Sequence, residues 1–242
     1  DSNCPAGQVA DEVIRSEYSD IKASTELAAL ADVVTYEFEN VDADSVSSAE
    51  KHKPVRPSSS VLRTTQNRLH EKKALLEAGI PVANFRKVDS LRDLEDAASV
   101  LGYPMVLKTA TEGYDGKGQS IIHGEHDLAI SYDHLNAQNV ELIVEQFVSS
   151  KAEVSTICAR TIDGMTATFD PSENIHRNHI LDTSIVPARI DESVADKARI
   201  IATNIAEKLD VIGLIAVEMF VTQENDILVN ELAPRPHNSG HY

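Results

Sequence analysis

Apolar runs of strand length alternate along this chain with segments of helical period, and that alternation confines it to the α/β and α+β classes. Asp20 is placed to cap a helix through Ala31, which feeds a strand-like run, Val33-Val34-Thr35-Tyr36-Glu37-Phe38. Lys51 to Ser60, with Pro54, Pro57 and a run of serines, reads as a linker or domain edge. A helix from about Asn67 to Ala78 is closed by Gly79 and Pro81. Strand 83–88, helix 90–101, strand 105–109, a Gly-rich loop, strand 119–123, a helix over 125–136 and strand 142–147 are predicted next. Strand-like segments then run through Phe169, a long amphipathic helix spans Glu192 to Leu209, and Gly213 to Leu232 reads as two strands joined by a short turn. There is no internal repeat and no low-complexity tract.

The charge balance excludes several functions. With 39 acidic residues against 22 Lys and Arg, the 242-residue chain carries a formal net charge of −17. Bulk attraction to nucleic acid or to an anionic membrane is thereby ruled out, and a phosphate-bearing ligand has to be held by a local group of basic residues. No apolar run approaches the roughly 18 residues needed to cross a bilayer, so a cytoplasmic protein is the default. Cys4 and Cys158 are too few for a disulfide framework or a metal motif, and both read as inert. The first and last residues, Asp1 and Tyr242, look like cut ends.

Four constellations carry chemistry. Lys108 ends a strand and is followed by Gly113-Tyr114-Asp115-Gly116-Lys117-Gly118-Gln119, whose glycines let backbone approach an anion while the lysines supply charge. The spacing is neither a Walker A loop nor a GxGxxG fingerprint, and a plain hairpin with a solvated lysine is the alternative. Glu145, Gln146, Phe147 and Val148 form a strand end able to offer backbone groups to an adenine edge, with Glu153 placed to accept from ribose hydroxyls. Solvated charges at strand ends are the plainer reading.

The third constellation is the terminal hairpin. With a turn centred on Glu224 and Asn225, Glu218 faces Glu231 with Cβ atoms about 5 Å apart. At an effective dielectric of about 20, two such carboxylates repel by about 3 kcal/mol, which calls for a compensating cation, and hard oxygen donors favour Mg2+. A register one residue different would put them on opposite faces, and a shared proton would serve acid/base work instead. Fourth, Asn230-Glu231-Leu232-Ala233-Pro234-Arg235-Pro236-His237-Asn238-Ser239-Gly240-His241 is too rich in proline and glycine to be a helix, so His237 and His241 form no helical zinc pair. It reads as an extended loop of donors, suited to an oxyanion such as phosphate or bicarbonate.

Several segments occur here in the order found in one family. They are Thr35 to Asn40, Gln66 to Lys72, Lys108 with Gly113 to Gln119, Glu173 to His176, Val217 to Phe220 and Asn230 to His241. The chain in this respect resembles the N5-carboxyaminoimidazole ribonucleotide synthetases, ATP-dependent carboxylases of purine synthesis. The resemblance implies an α/β and α+β protein with an ATP-grasp fold over residues 63–242, preceded by the remainder of a small α/β pre-ATP-grasp domain over 1–62, the family's C-terminal domain being absent. It implies that Arg68, Lys108 and the loop Gly113 to Gln119 bind phosphates, that Glu145 to Val148 bind adenine, and that Glu153 binds ribose. His176 and Asn230 would complete the nucleotide site, and Glu218 and Glu231 would hold Mg2+. Arg235, His237 and Asn238 would position bicarbonate and its phosphorylated product, with Lys117 beside them as the catalytic lysine, under a lid closed by the 113–119 loop. Substrates would be ATP, bicarbonate and 5-aminoimidazole ribonucleotide, and the protein a homodimer. Ala110 stands where the family often has Arg, removing a positive charge beside the loop. Rival readings are a formate-using glycinamide ribonucleotide ligase of the same fold and a Mg-ATP-binding module without turnover.

Overall fold

The computed structural model describes residues 4–111, 118–136, 140–177 and 180–242. The N-terminal part carries a 3-10 turn at Ala6–Gln8 and the helices α1 (Ile21–Leu30), α2 (Ala43–Glu50) and α3 (Ser59–Thr65). Side-chain caps start them: Asp20 accepts from the amides of Lys22 and Ala23, Asp42 from Ser45 and Ser58 from Val61. Ala28, Tyr36, Ala49, Val55 and Leu62 form their core. The strand expected over 33–38 does not form. Val34 makes only an isolated parallel bridge to Val55, because the partner segment is flanked by Pro54 and Pro57, which have no N–H to extend a ladder. The 51–60 segment is not a free linker: Val55 is buried, and the Ser59 amide donates to Glu50 at 2.8 Å.

The helix α4 (Arg68–Glu77), capped by Asn67, leads into the first of two antiparallel sheets. That sheet holds β1 (Phe85–Val88), β2 (Met105–Thr109), β3 (Gln119–Ile122) and β4 (Leu142–Gln146) in the order β1-β4-β2-β3. Helices α5 (Leu91–Leu101) and α6 (Glu125–Asn136) cover one face, burying Leu94, Ala97, Leu128 and Leu135 against Met105, Leu107, Ile122 and Val144. The start of α5 is a reciprocal cap, in which Ser90 accepts from the Asp93 amide while the Asp93 carboxylate accepts from the Asp89 amide. Its end is set by Gly102 at φ 72°, a backbone conformation that other residues reach only under strain.

The second sheet has six strands, β5 (Ser150–Arg160), β6 (Thr166–Thr168), β7 (Ser172–Arg177), β8 (Ile180–Ile185), β9 (Gly213–Thr222) and β10 (Ile227–Ala233). The order is β10-β9-β5-β7-β8, with β6 on β5. The 17-residue helix α7 (Glu192–Lys208) lies on it, and its small buried residues Ala195, Ala198, Ala202 and Ala206 let helix and sheet pack closely. A 3-10 turn at Asn238–Gly240 follows β10. Among the described residues, no helix is long and apolar enough to cross a membrane.

Candidate nucleotide and anion site

A cleft of about 610 Å3 between the two sheets is lined by Arg68, Lys108, Gly118, Gln119, Glu145, Gln146, Phe147, Val148, Glu153, His176, Glu218, Asn230, Glu231, Arg235, His237 and Asn238. Residues over 160 positions apart in sequence thus converge on one space. Gly113, Tyr114, Asp115, Gly116 and Lys117, expected to touch phosphates or reactants, lie outside the described residues.

The hairpin brings Glu218 opposite Glu231. Near the turn the pairing is Val229 with Met219, one residue away from the register expected from a turn centred on Glu224 and Asn225. A β-bulge between Val229 and Glu231 then advances β10 by one residue and restores the facing carboxylates. The protein supplies part of the compensation itself. His237 Nε2 lies 3.0 Å from Glu218 Oε1, and Arg68 Nη2 lies 3.5 Å from Glu231 Oε1. Desolvation opposes ionisation of Glu218, yet His237 holds its carboxyl below the usual carboxylate range. Desolvation raises that of Glu231, with Glu218 adding to the effect and Arg68 opposing it. Among the described residues no third His, Cys, Asp or Glu joins the pair to form a metal cluster. A hard cation here fits only by completing its shell with water and ligand oxygens, the ordinary manner of Mg2+.

The anchor of His237 is a buried polar chain. The Ser239 amide donates to its Nδ1 at 3.4 Å, leaving Nε2 as the N–H directed at Glu218. Ser239 Oγ lies 2.8 Å from the same Nδ1 and accepts from Ser155 Oγ at 2.7 Å, and Asn174 Nδ2 donates to Ser155 Oγ at 2.9 Å. Arg235 is fixed differently: its Nε and Nη2 donate to the two oxygens of Glu39 at 2.9 and 3.1 Å, a bidentate clamp between the N-terminal part and the cleft. Glu39 lies within the Thr35 to Asn40 segment that carries the resemblance, but nothing in the sequence assigned it a role in the site.

Glu145 is corrected most. Its backbone lies within the sheet, paired with Phe85 on one side and Val106 on the other, so it offers no free edge. Its carboxylate is buried, with Oε2 3.2 Å from Lys108 Nζ and 3.3 Å from Lys72 Nζ. Desolvation opposes ionisation, but the two ammonium groups together hold the carboxyl below its ordinary value. It meets the Lys108 ammonium at the wall of the cleft. Of the adjoining residues, the Gln146 and Phe147 amides donate to Asn84 and Pro104 carbonyls, at 2.8 and 3.2 Å. Glu153 Oε2 meets His176 Nδ1 at 2.8 Å, and that hydrogen bond raises the imidazole pKa above 6.5. Arg68 also donates from Nη1 to the Thr109 carbonyl at 3.1 Å. Ala110 is buried against Leu69 and Ile143, and its carbonyl accepts from the Arg68 amide at 2.8 Å. Cys158 is buried and Cys4 partly so; both are free thiols.

The chain is similar to known proteins over nearly its whole length. N5-carboxyaminoimidazole ribonucleotide synthase from Bacillus subtilis (strain 168) is 45% identical over 238 residues, which is 98% of this chain and 62% of that protein. The chain therefore spans less than two thirds of the length of this curated relative. The crystal structure of N5-carboxyaminoimidazole synthetase from Staphylococcus aureus complexed with ADP superposes with a TM-score of 0.93 at 38% identity, covering 100% of this chain and 64% of that one. N5-carboxyaminoimidazole synthase from Aspergillus clavatus, solved with ADP and 5-aminoimidazole ribonucleotide, gives a TM-score of 0.91 at 28% identity over 99% of this chain and 63% of the other. Residues 1–66 match the ribonucleotide synthetase preATP-grasp domain. Because residues 73–242 match the ATP-grasp domain across the sheets that form the cleft, the chain belongs to the ATP-grasp family.

Proposed function

We propose that this chain carries the nucleotide and bicarbonate chemistry of an ATP-dependent carboxylation of 5-aminoimidazole ribonucleotide, giving N5-carboxyaminoimidazole ribonucleotide for purine synthesis. The observation that carries the reading is the convergence in one cleft of a facing carboxylate pair, Glu218 and Glu231, with the basic side chains of Arg235 and His237. The homologous proteins solved with ADP and with 5-aminoimidazole ribonucleotide support it.

In this reading Arg68 and Lys108 neutralise the phosphates of ATP, and the loop Gly113 to Gln119 binds them as well. Gln146 to Val148 receive adenine, Glu153 receives ribose, and His176 and Asn230 complete the nucleotide site. Glu218 and Glu231 would hold Mg2+, which neutralises phosphate charge when bound. Arg235, His237 and Asn238 orient bicarbonate so that one of its oxygens attacks the γ-phosphorus. The bond from that phosphorus to the bridging oxygen breaks and ADP leaves, giving carboxyphosphate. The exocyclic amine of the ribonucleotide then attacks the carboxyl carbon, inorganic phosphate departs, and the nitrogen loses a proton. The protein contributes positioning, charge neutralisation and exclusion of water from a labile intermediate. The same reading divides the chain at residues 62 and 63 and makes the protein a cytoplasmic homodimer.

ADP release from Mg-ATP, measured with and without bicarbonate and 5-aminoimidazole ribonucleotide, tests the assignment. Stimulation requiring both compounds is expected. Bound Mg-ATP with no response to either compound would retain the nucleotide site and overturn the substrate.

A further inference from the structure

The carboxylate pair owes its register to a bulge at the sheet edge, since β10 is the edge strand of the six-stranded sheet. The outer groups of an edge strand have no neighbouring strand to pair with, and a bulge weakens the inner ladder as well. Here the outer edge is satisfied from the N-terminal side of the chain. The Val229 amide donates to the Pro81 carbonyl at 2.8 Å. Lys72 Nζ donates to the carbonyl of Asn230, the bulge residue, at 3.1 Å. The Leu232 amide donates to Glu71 Oε2 at 3.0 Å. Glu231 is therefore bracketed by two side-chain-to-backbone bonds from consecutive residues of α4.

Both α4 residues are 1% exposed, and neither lines the cleft. Lys72 is held there by the Glu145 carboxylate and the Asn230 carbonyl, while the Glu71 carboxyl, pushed well above its ordinary value by burial and by Glu231, keeps one oxygen on the Leu232 amide. Lys72 is also 3.3 Å from Glu145 Oε2, the oxygen that Lys108 approaches at 3.2 Å, so one ammonium ties the bulge to the phosphate-facing lysine of the other sheet. A surface helix needs none of these contacts to pack, since Leu69 and Leu75 already bury its apolar side.

We propose that Glu71 and Lys72 are positioning residues for the metal pair, fixing the bulge at Asn230 and thereby the face-to-face placement of Glu218 and Glu231. The inference rests on the reading of that pair as the Mg2+ site. Its test uses the full chain with Lys72→Met and Glu71→Leu, and with Glu71→Gln as the conservative variant that keeps an oxygen for the Leu232 amide. ADP affinity is titrated calorimetrically at saturating Mg2+ and in EDTA, and folding is followed by thermal melts. Lys72→Met and Glu71→Leu should lose about tenfold or more of the Mg2+ enhancement of ADP binding, the scale typical of residues that orient metal ligands. Affinity in EDTA should stay within about twofold in both, and Glu71→Gln should keep the enhancement. A general loss of structure would instead lower both affinities together. If the two stronger variants do not melt cooperatively, Lys72→Arg decides by the same criterion, since it keeps the charge while replacing the compact ammonium that meets both Glu145 and Asn230. Folded variants with the wild-type Mg2+ enhancement overturn the proposal. A wild-type protein with no enhancement overturns the metal reading beneath it, so the two failures are distinguished.

Discussion

Glu218 faces Glu231 across a hairpin whose turn would by itself pair Glu218 with Asn230, and the slip at Asn230 is what brings the carboxylates together. The arrangement costs stability when no cation is present, although Arg68 and His237 reduce the bare repulsion. Glu231→Gln should therefore stabilise the protein without ligand by about 1 kcal/mol, or roughly 2–4 °C in Tm for a chain of this length. The same variant should lose the Mg2+ dependence of nucleotide binding. Calorimetric melts and ADP titrations with and without Mg2+ check both halves, and retained Mg2+ dependence would remove Glu231 from the metal site.

Arg235 grips Glu39 with two parallel hydrogen bonds, a geometry lysine cannot reproduce. Arg235→Lys should lower kcat/KM for bicarbonate by about 10²-fold, the loss typical of one oxyanion donor. ADP binding should be unaffected. Steady-state kinetics paired with calorimetry separates the two, and equal losses in both would mean that Arg235 serves the nucleotide instead.

Glu145 lies between Lys72 and Lys108, and replacing it leaves a buried ammonium without its partner carboxylate. Glu145→Gln should cost about 3 kcal/mol, as expected for breaking one side of a buried ion pair. Because the folded pKa lies below the ordinary 4.5, the contribution of the carboxylate is complete above that value and is lost as pH falls through the folded pKa. Urea unfolding between about pH 6 and pH 3 should show the gap between wild type and variant closing at the acid end. A pH-independent gap would contradict the ion-pair account.

His176 should titrate above 6.5, since Glu153 favours the imidazolium. Its stabilising pair with Glu153 is thus fully present below 6.5 and lost as pH rises through the folded value. Glu153→Gln should move the imidazole back toward its ordinary value, and bound ADP should do the same if the ribose takes over Glu153. Proton NMR of the histidine ring resonances reads both shifts directly.

The sequence showed much of this fold because its helix ends are written locally, in Asp20, Asn67, Ser90 and Gly102. It showed the facing carboxylates through an assumed turn that the structure does not have. Val221 pairs with Ile227, so the turn is centred on Glu224, and the bulge supplies the missing residue of offset. The bulge does leave a slip in the alternation of β10, buried at Ile227 and Val229 and next at Leu232, but two adjacent polar residues near a strand end do not by themselves tell a bulge from the end of the strand. Nor could spacing reveal Glu39, whose partner lies 196 positions away. Glu71 and Lys72 look like ordinary solvated charges on a helix, and only the arrival of β10 beside them makes them interior.

The grip of α4 on β10 falls on main-chain atoms, Asn230 O and Leu232 N, and is blind to which side chains the strand presents. Leu232 is exchangeable for another apolar residue that keeps an amide, whereas Leu232→Pro would delete one of the two bonds outright. A single residue added to or taken from β10 would offer Lys72 the wrong carbonyl and turn Glu231 away from Glu218. Outside Asn230 and Glu231, the strand is thus held to its length more strictly than to its composition, and over evolutionary drift those other positions should accumulate substitutions while insertions and deletions are rejected.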